Sequence, residues 1–496
     1  MFYTSTRDKS VKVTSAQAIT MGISKEGGLF VPQEFPQLSK SDIEQIAKLD
    51  YIGRAKAILS LYLTDFSQEE LDKCVNGAYA KGKFSSKAVA PIVNLGGNTN
   101  ILELWRGPTC AFKDMALQLL PYLLTTASAK VIPDKQVLIL VATSGDTGKA
   151  ALEGFKDVDL TKILVFYPED GVSEMQKLQM TTQQGDNVSV CAIYGNFDDA
   201  QNGVKSIFTN KEVAEKLGES GVILSSANSI NWGRLVPQIV YYVSAYCDMI
   251  SNGTLKNGEP MNVVVPTGNF GNILAAYYAK KMGVPIGKLV CASNANNVLT
   301  DFLKTGKYDR NRSFYTTTSP SMDILISSNL ERLLFDLSGN DDERVKEWMN
   351  GLDKNGVYDV GEDMFAKIKE LFDAGFCDDN GAKKAIKETF DNQKYLCDTH
   401  TAVAVDVYNQ YVKVNSEDVP TIIASTASPY KFSKSVLEAL QPVPQELDEF
   451  EISEILSKKT GVEIPQQLAE LKSKKVRFSD VCEKENMIKQ VFAMIE

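Results

Sequence analysis

Gln136-Val-Leu-Ile-Leu-Val-Ala142 is a continuous apolar run that leads directly into the polar turn Thr143-Ser-Gly-Asp-Thr-Gly148 and then into a helical stretch. A short apolar run rich in Val, Ile and Leu, followed by a helix, is typical of a parallel strand that is covered on both faces. Runs of the same kind recur at 162–167, 187–193, 261–266, 288–293 and 420–426. The fold class is therefore predicted to be α/β, with two lobes of parallel strands and crossover helices.

The segments on either side of these runs have a different pattern and set the predicted domain boundaries. Residues 1–92 combine turns with amphipathic helices, which predicts a helical N-terminal domain. We assign the first α/β lobe to 93–240 and the second to 241–435, with a charged helical insertion at about 300–400. Residues 436–496 predict a helical C-terminal extension.

Composition limits the partners of the chain. Its 496 residues are 44% hydrophobic, and 63 acidic against 53 basic side chains give a formal charge of -10. No block of Lys or Arg resembles a nucleic-acid footprint, and no run of about 18 apolar residues predicts a membrane span. We expect no nucleic-acid and no membrane partner. Because the first residues lack the apolar stretch of a signal peptide, we also expect a cytoplasmic location.

The cysteines and the single histidine narrow the chemistry. Eight cysteines are scattered without a CxxC pair, so we interpret them as reduced and mostly buried. His400 is the only histidine, which excludes a histidine-rich site, and no metal is predicted. A Ser-His-Asp or Cys-His hydrolase would need His400 as its base. Since His400 lies at the start of an apolar helix, we interpret it as a capping or packing residue instead.

A lysine stands in a distinctive position in the segment Arg106-Gly-Pro-Thr-Cys-Ala-Phe-Lys113-Asp-Met-Ala. A Gly-Pro turn there precedes an apolar helical stretch of nearly twenty residues. A positive helix N-terminus and burial both disfavour a charged ammonium. Lys113 is therefore a candidate for a neutral amine that forms a Schiff base. The competing interpretation is a solvated surface lysine.

Two turns between a strand and a helix carry groups suited to anions. The first offers Ser144, Asp146 and Thr147, and it lacks the hydroxyl residue that follows the lysine of a nucleotide P-loop. The second is Gly268-Asn-Phe-Gly-Asn272. Its spacing, and the absence of an acid at the end of strand 288–293, favour a single phosphate over a dinucleotide.

A third turn of this kind contains Asn228, Ser229 and Arg234 at the start of another apolar helix. Two interpretations stay open for it: an anion site, or helix caps beside a surface arginine. Thr426 follows the last apolar run, at the strand end where ligands of open α/β sheets collect. Taken alone, Thr426 belongs to an ordinary turn.

In this order and spacing, these segments resemble the threonine synthase family of fold type II pyridoxal-phosphate enzymes. The likeness is greatest to its bacterial and fungal branch, which has an added N-terminal domain. It covers most of the chain and implies two doubly wound lobes beside the helical N-terminal domain. The resemblance implies that Lys113 carries pyridoxal 5'-phosphate as a Schiff base and that Thr426 contacts the pyridine nitrogen. It implies cofactor-phosphate contacts for Gly268, Asn269, Phe270, Gly271 and Asn272.

The same resemblance implies substrate contacts and an activity. The residues concerned are Ser144, Asp146 and Thr147 for the amino-acid end of the substrate, and Asn228, Ser229 and Arg234 for its phosphate. One departure is Ser428, where relatives often have histidine. The implied reaction is a carbon–oxygen lyase reaction, the last step of threonine biosynthesis. It converts O-phospho-L-homoserine and water to L-threonine and phosphate, with Lys113 as the main base and acid.

Several alternatives remain at this point. A related pyridoxal-phosphate dehydratase or phospholyase would share the fold, although a dehydratase has no phosphate leaving group for Arg234 to bind. A catalytically silent relative would not need Lys113. A nicotinamide-dependent oxidoreductase would need the acid that is missing after strand 288–293. The sequence leaves a monomer and a homodimer equally open.

Overall fold

The N-terminal unit combines helices with a small sheet. The computed structural model describes residues 1–80, 82–143, 145–170, 172–416 and 418–495. The unit contains β1 Tyr3–Ser5, β2 Asp8–Val13, α1 Ser15–Met21, β3 Phe30–Pro32, α2 Lys40–Ala47, α3 Tyr51–Tyr62 and α4 Gln68–Tyr79. Three of the helices start where capping boxes satisfy their first amides, at Thr14, Ser39 and Ser67. The strands form an antiparallel sheet in the order β2-β1-β3, which the helical prediction did not include.

The next part of the chain alternates strands and helices. Its strands are β4 Ile92–Gly96, β5 Thr99–Glu103, β6 Gln136–Ala142, β7 Thr161–Pro168, β8 Val188–Ile193 and β9 Val222–Ser225. Its helices are α5 Asp114–Leu117, α6 Leu120–Val131, α7 Asp146–Phe155, α8 Glu174–Thr181, α9 Phe197–Thr209, α10 Lys211–Glu219 and α11 Trp232–Ser251.

The helix predicted after Lys113 is broken into α5 and α6. Pro121 has no N–H to donate to the carbonyl of Leu117, so the helical ladder is interrupted there. That carbonyl packs against Gly154 of α7, where a Cβ would lie only 1.9 Å from it. The break therefore lets α7 approach the segment that carries Lys113.

The third part follows the same alternation. Its strands are β10 Met261–Pro266, β11 Ile286–Ser293, β12 Lys307–Asp309, β13 Val357–Asp359, β14 Phe372–Phe376 and β15 Thr421–Ser425. Its helices are α12 Gly271–Lys281, α13 Val298–Thr305, α14 Leu330–Leu337, α15 Asp342–Asn355, α16 Glu362–Leu371, α17 Asp379–Gln393, α18 Thr399–Asn415 and α19 Ser433–Leu440. Two short 3-10 turns, Pro320–Met322 and Pro429–Lys431, lie between them. The chain closes with α20 Glu449–Thr460, α21 Gln466–Ala469, β16 Val481–Cys482 and α22 Met487–Ala493.

Two large sheets form the two lobes. The first is entirely parallel, in the order β16-β8-β7-β6-β9. The second has the order β14-β11-β10-β15-β5-β4 and is parallel except for the β4–β5 hairpin. Every residue of β10 and of β15 is buried, as expected for strands covered on both faces. The predicted α/β class with two lobes is confirmed.

The strands of the first lobe differ from the predicted boundaries in two places. β5 pairs with β15 and β4 pairs with β5, so residues 92–103 belong to the second sheet, and β16 of the C-terminal extension joins the first. The β5–β15 and β16–β8 pairings join segments about 300 residues apart, and local patterns carry no information on such pairings. None of the helices in the described part of the chain has the length and apolar character needed to cross a bilayer.

Candidate active site

A cavity of about 190 Å³ lies beside the residues that follow β6, β9, β10 and β15. The carboxyl ends of parallel strands are where open α/β sheets bind ligands. Of the predicted site residues, those that line it are Lys113, Asp146, Thr147, Asn228, Ser229, Arg234, Gly268, Asn269, Phe270, Gly271, Asn272 and Thr426. Ser144 lies outside the described residues. The fold thus gathers residues from five connections around one cavity, those that follow β5, β6, β9, β10 and β15.

Lys113 is buried at the N-cap position of the short helix α5. Its Nζ lies 3.3 Å from Ser321 Oγ and 4.0 Å from a carboxylate oxygen of Asp146. Burial lowers the pKa of Lys113 to about 8; Asp146 opposes this shift, while the nearby cations Arg234 and Lys431 add to it. The interpretation of Lys113 as a solvated surface residue is therefore wrong. Its amine has a large neutral fraction near pH 8.

Hydrogen bonds within the motif hold the turn before Lys113. Asp114 accepts the Thr109 backbone N–H at 2.8 Å and the Thr109 hydroxyl at 2.7 Å. Burial raises the pKa of Asp114 to about 7, and the bonds from Thr109 oppose that rise. A Cβ at Gly107 would lie 2.6 Å from the Asp114 side chain, so this close approach needs glycine. The backbone N–H of Phe112 donates to the Thr426 carbonyl at 2.8 Å, which joins the turn to the end of β15.

Residues 268–272 form the turn before α12 and its first two positions, and they present donors to the cavity. We call this segment the phosphate loop, after its predicted role. The Oδ1 atom of Asn272 accepts the hydroxyls of Tyr241 and Tyr242, so the amide orientation is fixed. Its Nδ2 is buried and has no partner within the described part of the chain. Phe270 adopts a left-handed conformation, φ 63°, and no side chain caps the helix that follows. Unpaired N–H groups at a helix N-terminus suit a phosphate, and the loop therefore fits the phosphate of a cofactor.

Arg234 is a buried cation that faces the same cavity. It is 6% exposed, and its guanidinium donates to the carbonyl of Ala227 at 2.6 Å. Among the described residues, no carboxylate forms an ion pair with it. Burial alone lowers its pKa to about 10. The interpretation of Arg234 as a surface residue is wrong, and a buried guanidinium without a counter-ion is suited to an anionic ligand.

Lys431 is a site residue that sequence reasoning missed. It is fully buried, and its Nζ lies 2.7 Å from Asp146 Oδ1 and donates to the Thr109 carbonyl at 3.1 Å. Burial disfavours the charge on Asp146, but Lys431 and Lys113 outweigh burial and hold the pKa of Asp146 below its usual value. Lys431 lies only three residues after Ser428 in the sequence, within the segment that the resemblance already singled out.

Ser321 and His400 also line the cavity and were not predicted to do so. Asp398, rather than His400, caps α18. The His400 ring packs 4.9 Å from that of Phe432, as the packing interpretation expects, but its Nε2 also accepts the Ser321 N–H at 3.1 Å. Ser321 belongs to the region interpreted as a covering insertion, where no local pattern indicated a site.

Ser428, the departure noted in the sequence analysis, has a clear local role. Its hydroxyl accepts the backbone N–H of Tyr430 at 3.3 Å and so caps the 3-10 turn that carries Lys431. Its own N–H donates to the carbonyl of Cys110 at 3.0 Å. Ser428 therefore connects Lys431 to the turn that precedes Lys113.

A buried lysine of lowered pKa beside a helix N-terminus with unpaired donors fits one class of protein, the pyridoxal-phosphate enzymes. The family model described as "Pyridoxal-phosphate dependent enzyme" matches residues 94–423, and pyridoxal 5'-phosphate is the cofactor. Models described as "Threonine synthase N terminus" and "Threonine synthase, C-terminal" match residues 2–79 and 401–492. The chain belongs to the threonine synthase family.

Individual relatives agree with this assignment. The chain is 38% identical over 443 residues to threonine synthase of Pseudomonas aeruginosa, covering 88% of this chain and 90% of that one. It is 42% identical over 436 residues to human threonine synthase-like 1, covering 86% of this chain but only 58% of that protein. The crystal structure of the pyridoxal-phosphate-bound threonine synthase of Brucella melitensis superposes with a TM-score of 0.88 at 36% identity, covering 100% and 99% of the two chains.

Proposed function

We propose that this chain is a threonine synthase, which converts O-phospho-L-homoserine and water to L-threonine and phosphate. The observation that carries the proposal is the presence of Arg234 in the cavity that also contains Lys113 and the loop of Asn272. The loop provides donors for the cofactor phosphate, whereas Arg234 is a further buried cation without a carboxylate partner in the described chain. A substrate with its own phosphate supplies the missing anion.

The substrate is held at both ends by residues of this chain. The amides of Asp146 and Thr147 at the N-terminus of α7 bind its carboxylate. The backbone N–H groups of Gly145 and Gly148 donate to the hydroxyl oxygen of Thr143, at 3.0 Å and 2.9 Å, and these bonds stabilise the conformation of the turn. Arg234, with Asn228 and Ser229, binds the substrate phosphate and stabilises it as it leaves.

Lys113 moves the protons in this proposal. Bound pyridoxal phosphate supplies an electron sink for the negative charge that develops on the substrate. The neutral Lys113 amine removes a proton from Cα and then one from Cβ. The Cγ–O bond breaks as phosphate leaves, and a proton is delivered to Cγ, which becomes the methyl group. The lowered pKa of Lys113, about 8, lets one group act as base and then as acid near neutral pH. Water adds its hydroxyl at Cβ, and Lys113 returns a proton to Cα.

The test is a product analysis with O-phospho-L-homoserine as substrate. The proposal expects phosphate and L-threonine in equal amounts from the purified, cofactor-loaded protein. Phosphate with 2-oxobutyrate and ammonia, and no threonine, would instead assign a phospholyase, which releases phosphate without adding water at Cβ. If the protein released no phosphate, both the threonine synthase and the phospholyase assignments would be contradicted.

We further propose that the chain is divided along its sequence into the units 1–92, 93–240, 241–435 and 436–496, although β4 and β5 and β16 join the sheet of another unit. We also propose a cytoplasmic location, and a monomer or homodimer without nucleic acid or membrane. All eight cysteines are buried and free of disulfides, which supports a reducing compartment. Light scattering of the purified protein tests the oligomeric state, and a larger assembly would contradict this part.

A further inference from the structure

A line of buried and partly buried polar groups leads from the N-terminus of helix α18 to Lys113. Asp398 Oδ2 lies 2.8 Å from His400 Nδ1, and His400 Nε2 accepts the backbone N–H of Ser321 at 3.1 Å. The Oγ of Ser321 lies 3.3 Å from Lys113 Nζ. Asp398 and His400 are both buried. Each link therefore lies within hydrogen-bond distance, and the Asp398–His400 link is buried.

The partners of His400 fix its tautomer. A backbone N–H can only donate, so Nε2 must carry a lone pair and the ring proton must reside on Nδ1. Nδ1–H then donates to Asp398, which also caps α18 by accepting the backbone N–H groups of His400 and Thr401. His400 is consequently a fixed acceptor for the Ser321 backbone.

The segment around Ser321 is held from several sides. The carboxylate of Asp323 accepts the Thr317 N–H at 3.0 Å and the side-chain amides of Asn294 and Asn296 at 2.7 Å and 2.9 Å. The carbonyl of Ser321 lies so close to Gly268 that a Cβ there would come within 2.8 Å of it. The turn Pro320–Met322 is therefore packed between Lys113 and the phosphate loop.

We infer that Ser321 is a positioning residue for the Lys113 amine, and that Asp398 and His400 hold Ser321 in place through its backbone. The Ser321 hydroxyl orients Lys113 Nζ whenever the amine is not covalently attached to the cofactor. This inference uses the cofactor assignment, and only its kinetic consequence rests on the proposed threonine synthase activity.

The experiment compares Ser321→Ala with Ser321→Thr in the full-length chain. The alanine variant keeps the backbone N–H to His400 and removes the hydroxyl, whereas the threonine variant retains a hydroxyl. Ser328→Ala is the matched control, because the Ser328 hydroxyl is buried in the same segment without a described partner. The first readout is the rate of covalent attachment to Lys113 after pyridoxal phosphate is added to cofactor-free protein, followed by absorbance.

Ser321→Ala is expected to slow attachment about tenfold or more, because misplacement of a reacting group carries a penalty of this order. It should also lower kcat with O-phospho-L-homoserine while KM changes less than about twofold. Ser321→Thr should restore both, and Ser328→Ala should match the wild type. Wild-type attachment in Ser321→Ala, or failure of Ser321→Thr to restore it, would overturn the inference. Slowed attachment in an enzyme that makes no threonine would contradict the proposed function and leave this inference standing.

Discussion

Lys431 shows how one residue sets the charge balance around Lys113. It is an ion-pair partner of Asp146, and its charge also lowers the pKa of Lys113. Replacing it by methionine removes both effects and leaves Asp146 buried without its closest cation. A buried ion pair that loses one partner destabilises a protein by about 3–5 kcal/mol.

We predict that Lys431→Met lowers the free energy of unfolding by about that amount, measured by urea denaturation. The same variant should raise the pKa of Lys113 above about 8. Because only the neutral amine attacks the cofactor, and the neutral fraction grows as pH rises through the pKa, attachment should reach its half-maximal rate at a higher pH. An unchanged pH profile in a folded variant would contradict this account of Lys113.

Arg234 carries the second residue-scale prediction. Arg234→Ala should lower kcat/KM for O-phospho-L-homoserine about a hundredfold, since it removes a charge-assisted contact to a buried phosphate. The cofactor absorbance and the cofactor Kd should stay as in the wild type. Arg344→Ala is the control, because Arg344 pairs with the exposed Asp363. A large loss of cofactor affinity in Arg234→Ala would place this cation in the cofactor site instead.

At the scale of elements, helix α11 determines how the phosphate loop presents its donors. Tyr241 and Tyr242 donate to Asn272 Oδ1, and burial raises the pKa of both phenols, so both remain neutral donors. We predict that the double variant Tyr241→Phe/Tyr242→Phe weakens pyridoxal phosphate binding about tenfold, because the Asn272 amide loses its fixed orientation. Equilibrium titration of the cofactor measures this effect. Each single variant retains one hydroxyl donor and should lose less affinity for pyridoxal phosphate. If one single variant lost as much affinity as the double variant, that tyrosine alone would orient the Asn272 amide.

The elements also show which parts of the fold the sequence could predict. Strands such as β6 and β10 were predicted within one residue, because a buried parallel strand leaves a continuous apolar run. The break between α5 and α6 was missed, although Pro121 marked it. The pairing of β5 with β15 lay beyond local patterns, since the partners are more than 300 residues apart.

Some residues of the candidate site could be predicted from local sequence patterns and others could not. Lys113 and the loop of Asn272 stand in strand-to-helix turns, where glycine and polar residues give a recognisable pattern. Ser321 and His400 reach the cavity through tertiary packing alone, and their surroundings in the sequence resemble an ordinary turn and a helix start. Lys431 could be predicted only in part. It follows the recognisable segment of Thr426 and Ser428, but its contact with the site, through Asp146, depends on the tertiary fold.

At the scale of the whole molecule, Arg332 joins three parts of the chain. Its guanidinium, fully buried, donates to the Phe30 carbonyl of the N-terminal unit, to the Ile230 carbonyl before α11, and to the side chain of Asn329. Asn329 in turn donates to the Asn269 carbonyl in the phosphate loop at 3.0 Å. The N-terminal unit is thereby connected to both segments that we propose bind phosphate groups.

We predict that Arg332→Met destabilises the protein by about 3 kcal/mol or more, because two buried acceptors and one partly buried acceptor lose their donor. It should also weaken cofactor binding, since Asn329 no longer has a fixed position. Calorimetry and cofactor titration measure the two effects. Arg310→Met, at a part-exposed arginine that donates to the carbonyl of Asp353, is the control. A destabilised variant with wild-type cofactor affinity would show that the N-terminal unit supports the fold but not the site.

The account depends most on Lys113 as the residue that carries the cofactor. The direct measurement is borohydride reduction of the cofactor-loaded protein, followed by proteolysis and mass spectrometry of the labelled peptide. We predict a single pyridoxyl adduct on Lys113, with the visible absorbance band lost on reduction. An adduct on Lys431 or Lys149, the other buried lysines in the described part of the chain, or no adduct in a protein that retains the band, would contradict the central claim.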